Sequence, residues 1–118
     1  MRPSNSLIMS AANNATHTST IIWANDIVRI SVQAVVTGTP TGSLQMWVSN
    51  DLSHGNATTQ QDPLNWTVLG TAVTISAAGT FLISEIETSY EFIKLVYTDG
   101  SSGAATGTIT VRAKAMGL

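Results

Sequence analysis

Two histidines, His17 and His54, and seven Asp and Glu residues are what this sequence offers for acid–base or metal chemistry. A metal centre needs three or four converging ligands, and neither histidine stands in an H-x-H or H-x-x-x-H spacing. Both lie in polar, loop-like segments and are expected as solvated loop residues. A Ser-His-Asp set can be drawn on paper from any chain this rich in serine. No G-x-S-x-G turn is present to aim a nucleophile, so hydrolase chemistry is not supported. Glu85, Glu87 and Glu91 cluster near one turn, with Glu85 and Glu87 on one face of a strand. A glycosidase pair must flank a cleft with one carboxyl pKa raised by burial, and a solvated acidic sheet edge explains the cluster more simply. Asp51, Asp62 and Asp99 are loop carboxylates that could offer hard oxygens to calcium, but the D-x-[DN]-x-[DN]-G spacing is absent. Gly100-Ser101-Ser102-Gly103 opens no helix and reads as a hairpin turn rather than a phosphate cradle. With no cysteine, thiolate metal sites, cysteine nucleophiles and disulfides are excluded. The expectation is a chain with no catalytic residue, no bound metal and no cofactor.

Aromatic and basic side chains offer binding rather than catalysis. Trp23, Trp47 and Trp66 lie near a strand start, on a strand, and directly after the longest loop. Tryptophan supplies stacking platforms for sugars and anchors at protein interfaces, and it also anchors cores and loops. Three of the five basic residues, Lys94, Arg112 and Lys114, fall in the C-terminal third. If the last two strands pair as a hairpin, Lys94 and Arg112 become neighbours able to meet Glu91 or an acidic partner. Near the N-terminus, Leu7, Ile8 and Met9 form a short apolar run in polar surroundings. Trp47, Trp66, Lys94, Arg112, Lys114 and this run are the candidate partner contacts.

The elements that must carry these residues read as β throughout. In "DIVRISVQAVVTG", Val28, Ile30, Val32, Ala34 and Val36 alternate with Arg29, Ser31, Gln33 and Thr37, a period of two that marks a strand with one buried face. Val35 interrupts the polar face and is expected to pack under a loop. "TGTPTG" punctuates as a turn, and "SLQMWVSND" alternates again, with Leu44, Met46 and Val48 opposite Gln45, Trp47 and Ser49. The two segments are expected to form a long hairpin. A polar loop over residues 52–64 follows, of the length at which loops are usually functional or mobile. "WTVLGTAVTIS" resumes strand character with Gly70 as a bulge or break, and Ala78-Gly79 turns into another short strand. "YEFIKLVYT" is largely apolar on both faces and is expected as a central, doubly covered strand. "DGSSGAATG" then turns into "TITVRAKAM". "SLIMSAA" either adds a strand or belongs to an arm. Residues 1–20 are expected as a flexible N-terminal arm whose removal leaves a folded domain over 21–118. Seven or eight short antiparallel strands with regular turn signals predict an all-β fold, a single β-sandwich or jelly roll.

Composition supports that class and narrows the partners. The 118 residues suit one domain able to bury a core without staples. Charged residues make up 10%, against about a quarter in ordinary domains, while Thr and Ser supply about a quarter. So neutral a surface is expected to be covered by other subunits. A net charge of −2 with only scattered cations disfavours nucleic acid. The N-terminal "MRPSNSLIMSAANNA" lacks the apolar core of a secretory signal or membrane span, predicting a chain that stays where it is made or travels within a larger particle. The Asn-x-Thr triplets at Asn14, Asn56 and Asn65 follow from the abundance of both residues.

"GSLQMWVSND" with "PLNWTVLGTAVTISAAGTFLI", and "YEFIKLVYTDGSSGAATGTITVRAKA", together resemble a small β-sandwich that recurs in virion proteins of tailed bacteriophages. The shared features are a strand ending in Ser-Asn-Asp, then Asn-Trp-Thr and Gly-Thr, a Tyr-x-x-Ile-Lys-Leu-x-Tyr strand, and a Gly/Ser/Thr-rich turn into a Thr-rich last strand, covering about Asp26 to Lys114. The resemblance is strongest to capsid decoration or cement proteins, with head-completion, tail and fibre components as relatives in the same particles. It implies a structural, non-enzymatic protein on the outside of a phage head. Its partners would be the major capsid protein and copies of itself, with no nucleic acid or membrane. "WVSND", "NWTVLG" and "YEFIKLVY" also resemble discoidin-like, galactose-binding sandwiches, although Lys94 stands where those carry Arg and Leu52 where they carry Gly. That second resemblance implies a glycan ligand, with Trp47 or Trp66 beside the 52–64 loop.

Overall fold

The computed structural model describes residues 4–24, 27–51, 65–87 and 90–117. His54, Asn56, Asp62 and the 52–64 loop lie outside them, as do the side chains of Glu85 and Glu87. Among the described residues the chain forms nine strands: β1 (Ser4–Ala12), β2 (His17–Thr18), β3 (Ile22–Trp23), β4 (Ile27–Val36), β5 (Gly42–Ser49), β6 (Thr67–Ile75), β7 (Gly79–Glu87), β8 (Phe92–Asp99) and β9 (Thr108–Gly117). They make two antiparallel sheets, a first in the order β1-β9-β4-β7 and a second in the order β2-β8-β5-β6, with β3 also pairing β8. Taking β2 and β3 as one broken strand, the pairings nest: β1 with β9, β2/β3 with β8, β4 with β7, β5 with β6. One long antiparallel ribbon folded over itself in this way is a jelly roll.

The alternation read from the sequence decides which side of each strand is buried. Ile30, Val32, Ala34 and Val36 of β4 and Ile109, Val111 and Ala113 of β9 point inward from the first sheet. Leu44, Met46 and Val48 of β5 and Ile93, Leu95 and Tyr97 of β8 meet them from the second. Burying such side chains stabilises by about 1.5–3 kcal/mol each, which drives the two faces together. β-Branched residues dominate the first sheet, as a pleated, packed surface favours. Val35, expected under a loop, instead stands 40% exposed on the outer face of β4.

The expected hairpins do not form. β4 and β5 belong to different sheets, as do β8 and β9, so "TGTPTG" and the segment after Asp99 carry the chain from one sheet to the other. Alternation fixes a strand's buried face but not its neighbour. The two corners are clasped together by their Thr-Gly-Thr triplets, Thr37-Gly38-Thr39 and Thr106-Gly107-Thr108. The Thr37 amide donates to the Thr108 carbonyl (2.9 Å), and the Thr39 amide to the Thr106 carbonyl (3.0 Å). The hydroxyls return the favour: Thr108 N–H donates to Thr37 Oγ1 (2.9 Å) and Thr106 N–H to Thr39 Oγ1 (3.1 Å). Gly38 and Gly107 face each other with φ of 76° and 95°, and a Cβ on either would lie 2.2 Å from the opposite backbone carbonyl oxygen. Only glycine fits so close an approach of two chains.

Residues 4–20 do not stand apart as an arm. Ser4–Ala12 is the edge strand of the first sheet, in register with β9 from Ser4↔Ala115 to Ala12↔Thr108. A bulge between Leu7 and Met9 lets Ile8 and Met9 both enter the core. Asn13 then closes the corner. It is fully buried, donating its amide N–H to Gly107 O (3.1 Å) and its side-chain Nδ2 to Thr37 O (2.9 Å). The apolar run explains the result: two large side chains gain more by burial than a solvated arm could offer.

Candidate interaction faces

With the core filled by inward residues, the candidate residues fall into three places. Ile8 and Met9 are core side chains, 5% and 6% exposed, and cannot reach a partner without leaving it. Trp47, Trp66 and Lys94 gather on the outer face of the second sheet. Leu7, Arg112 and Lys114 share the outer face of the first. The separation of Lys94 from Arg112 follows from the absence of a β8–β9 hairpin: the core lies between them.

On the second sheet, Lys94 of β8 stands beside Trp47 of β5, which stands beside Val68 of β6. The Lys94 ammonium lies 4.2 Å from the centre of the Trp66 ring, a cation–π contact. One residue pair along, Trp23 of β3 pairs with Phe92 of β8 and stacks on it, ring centres 6.1 Å apart and planes 25° from parallel. Its indole N–H reaches Glu91 Oε1 at 3.2 Å. Trp23 is half exposed and Val68 nearly so. All three tryptophans therefore lie on one face. Trp23 is its most accessible aromatic, and the sequence marked it only as lying near a strand start. The signal was available in the pairing of an aromatic on a short edge strand with Phe92, but that needs the partner strand to be known. β8 is central, as expected: Phe92 is buried on its outer side beneath Trp23, while Lys94 and Val96 are half-buried.

On the first sheet, outward positions line up across all four strands as Leu7–Arg112–Gln33–Leu82. The next rows hold Lys114 beside Ser31 on one side and Val35 between Thr110 and Thr80 on the other. Leu7 is 48% and Leu82 66% exposed. A shallow groove of about 170 Å³ runs among Ser31, Gln33, Leu82, Arg112 and Lys114.

Among the described residues, the carboxylates of Asp51 and Asp99 hold turns and segment ends. Both Asp51 oxygens meet Asn65, whose backbone N–H donates at 2.8 Å, joining the two ends of the 52–64 segment. Asp99 accepts from the Ser101 hydroxyl and amide and from the Gly103 amide at 3.0 Å. These hydrogen bonds, the Ser101 hydroxyl foremost, hold its carboxyl below the ordinary value. Gly100–Gly103 is thus a turn held by Asp99 in a corner between sheets. His17 is not a loop residue. It lies in β2 opposite Tyr97, and its Nε2 is enclosed without a hydrogen-bond partner among the described residues, as is Asn13 Oδ1. Tyr97 donates its hydroxyl to Asn13 O at 3.3 Å, and burial, with the Asp99 charge adding, raises its pKa. No group of three or more His, Asp and Glu residues placed to hold a metal occurs among the described residues.

The fold is shared with a prophage-derived protein. The chain superposes on the SPBc2 prophage-derived protein YomS with a TM-score of 0.62 at 12% identity, covering 97% of this chain and 92% of that one. PirA matches with a TM-score of 0.56 at 13% identity, over 92% and 90% of the two chains. A protein of the Bacillus endospore appendages, which are disulfide-linked pili, matches at 0.50 and 12% identity, over 99% and 88%. At such identities the likeness is one of fold. No protein-family model and no curated protein sequence matches the chain.

Proposed function

We propose that this protein is a non-enzymatic structural component of a phage virion, a decoration protein that binds the outer capsid surface and stabilises the head. The observation that carries the proposal is the character of the two sheet faces. One carries exposed Leu7, Val35 and Leu82 and the other exposed Trp23 and Val68, in a chain with few charges to keep such surfaces solvated. The fold shared with a prophage-derived protein and with a pilus protein supports a structural role. This chain has no cysteine, so assembly here uses non-covalent faces rather than disulfide links. The partners are the major capsid protein and further copies of this chain, and the site of action is the particle surface after synthesis in the host cytoplasm. No metal or cofactor enters the proposal.

Co-sedimentation tests it. Purified protein added to phage heads lacking it is expected to travel with the particles in a density gradient and to raise their resistance to heat. Heads that neither bind the protein nor gain stability refute the proposal, as does a gene position remote from virion genes.

A carbohydrate-binding or tail-associated module is the second possibility, favoured by the three tryptophans on one face. Each of Trp23 and Trp66 has one ring face covered, by Phe92 and by Lys94, and Trp23, half exposed, is the more accessible stacking platform. Glycan-array binding lost in Trp23→Ala with the fold intact would move the assignment to this class.

A further inference from the structure

The virion proposal leaves open which face docks, and the first sheet differs from the second in charge. Arg112 and Lys114 project from alternate positions of β9, about 7 Å apart, onto its outer face. Neither makes an ion pair or hydrogen bond with a described residue. Arg29, exposed on β4 of the same sheet, adds a third cation to that side, although it has a partner of its own. Of the acidic residues, Glu91 and Asp51 lie at one end of the second sheet and Asp99 at a corner between sheets, while Glu85 and Glu87 belong to β7, the edge strand of this same sheet separated from β9 by β4, with Glu87 opposite Arg29. The protein as a whole carries a net charge of −2, yet this face presents Arg112 and Lys114 with no partner among the described residues. Apolar side chains flank them in the same row, Leu7 on one side and Leu82 on the other, both about half exposed or more. The groove between the cations and Leu82 has room for one side chain, and Gln33 on its floor can donate or accept a hydrogen bond.

We propose that the outer face of the first sheet docks an acidic protein segment, seating a carboxylate between Arg112, Lys114 and Gln33 while its apolar neighbours cover Leu7 and Leu82. This rests on the structural role proposed above and names the chemistry of its partner. Charge complementarity sets the orientation and speeds the encounter, and the flanking leucines supply burial. Two such cations are too few to track a phosphate backbone, whose affinity rises with each phosphate neutralised.

The probe is the blocked peptide acetyl-Thr-Leu-Glu-Leu-Glu-Thr-amide, titrated into ¹⁵N-labelled full-length protein, with a matched peptide carrying Gln for both Glu. Saturable shifts are expected on outward positions of β1, β4, β7 and β9. The Gln peptide should bind at least fivefold more weakly, and R112E/K114E should weaken binding at least tenfold while keeping wild-type spectral dispersion. Shifts confined to the Trp23–Trp47 face, equal binding of the Gln peptide, or tighter binding of a single-stranded oligonucleotide at Arg112 and Lys114 would each overturn the proposal. Particle binding separates it from the broader assignment. If wild-type protein fails to co-sediment with heads, the virion role falls and the peptide result stands by itself. If R112E/K114E co-sediments as well as wild type, the virion role stands and this docking face does not.

Discussion

Gly107→Ala should be among the most destabilising small substitutions in the chain. Gly107 has φ of 95°, and a Cβ there would sit 2.2 Å from Thr37 O, 2.5 Å from Thr37 C and 2.8 Å from Gly38 N. No side-chain rotation relieves a clash with backbone, so the two corners must separate. Holding alanine at positive φ costs about 1–2 kcal/mol. Separation stretches the paired bonds Thr37 N–H to Thr108 O and Thr108 N–H to Thr37 Oγ1, at about 1 kcal/mol each. Alanine also narrows the unfolded ensemble, which returns about 0.4–1 kcal/mol. The net loss is about 3 kcal/mol. Gly70→Ala is the matched control: its φ is 75°, yet nothing lies within 4 Å of the added Cβ, so only the backbone cost applies, about 1 kcal/mol after the same offset. Urea unfolding followed by tryptophan fluorescence reads the difference. With a slope near 1.5 kcal/mol per molar, Gly107→Ala should lower the midpoint by about 2 M and Gly70→Ala by less than about 1 M. Equal midpoints for the two variants would refute the clasp as a source of stability.

Deleting residues 1–12 should abolish cooperative unfolding, because it removes β1, uncovers the edge of β9 and takes Ile8 and Met9 from the core; Met9→Ala alone should cost about 2–4 kcal/mol. A truncated protein with an unchanged denaturation midpoint would restore residues 1–20 as an arm. The raised Tyr97 pKa makes its neutral form the folded one, so its contribution is full below the unfolded value of about 10 and is lost as pH climbs through the higher folded value. Urea midpoints measured from pH 8 to 11 should fall less steeply in Tyr97→Phe than in wild type. Asp99 has the opposite sign: its lowered pKa contributes stability above the unfolded value of about 3.9, lost as pH falls through the folded one, and Asp99→Asn should flatten that acid limb. Lys94→Met should change Trp66 emission while costing no more than about 1 kcal/mol, as an accessible cation–π pair predicts; unchanged emission would mean the contact does not persist in solution.

Faces were legible in this sequence and neighbours were not. Alternation in "IVRISVQAVV" and "FIKLVYT" is a local property of a two-residue repeat, and Ile30, Val32, Ala34, Ile93, Leu95 and Tyr97 are buried as it requires. Pairing is non-local. The glycine-rich turn after Asp99 has the composition of a hairpin loop, yet a corner between sheets asks for the same residues, because both need tight reversals and positive φ. The distinguishing signal was the recurrence of Thr-Gly-Thr at 37–39 and 106–108, in which each glycine makes room for the other chain and the Thr37 and Thr39 hydroxyls accept from the Thr108 and Thr106 amides. The same non-locality hid the site: Lys94 and Arg112 were placed together by a hairpin that does not exist, and Trp23 drew little notice because its stacking partner lies 69 residues further along, at Phe92.

The clasp also bears on how so neutral a chain holds its shape and keeps its faces free. In most small sandwiches charged side chains solubilise the outer faces and polar loops close the ends. Here the chain is closed by backbone and by side chains that bond to backbone: the hydroxyls of Thr37 and Thr39, the Asn13 carboxamide that donates to Thr37 O, and the Ser19 hydroxyl that accepts from the Leu95 amide at 2.9 Å. Bonds of that kind are indifferent to what the outward residues are. The core asks only for apolar side chains of about the right size, which many sequences satisfy. A fold specified by nested pairing, a tolerant core and backbone-closed corners leaves the exposed outward positions less constrained by folding than the core, Phe92 beneath Trp23 being an outward residue that is itself buried. That accounts for similar folds persisting at 12–13% identity over nine-tenths of a chain. Leu7, Leu82, Arg112 and Lys114 are exposed on the outer face of the first sheet, where their exchange for Thr or Ser should cost the fold less than any change at Ile30, Val32, Ile109 or Val111 beneath them.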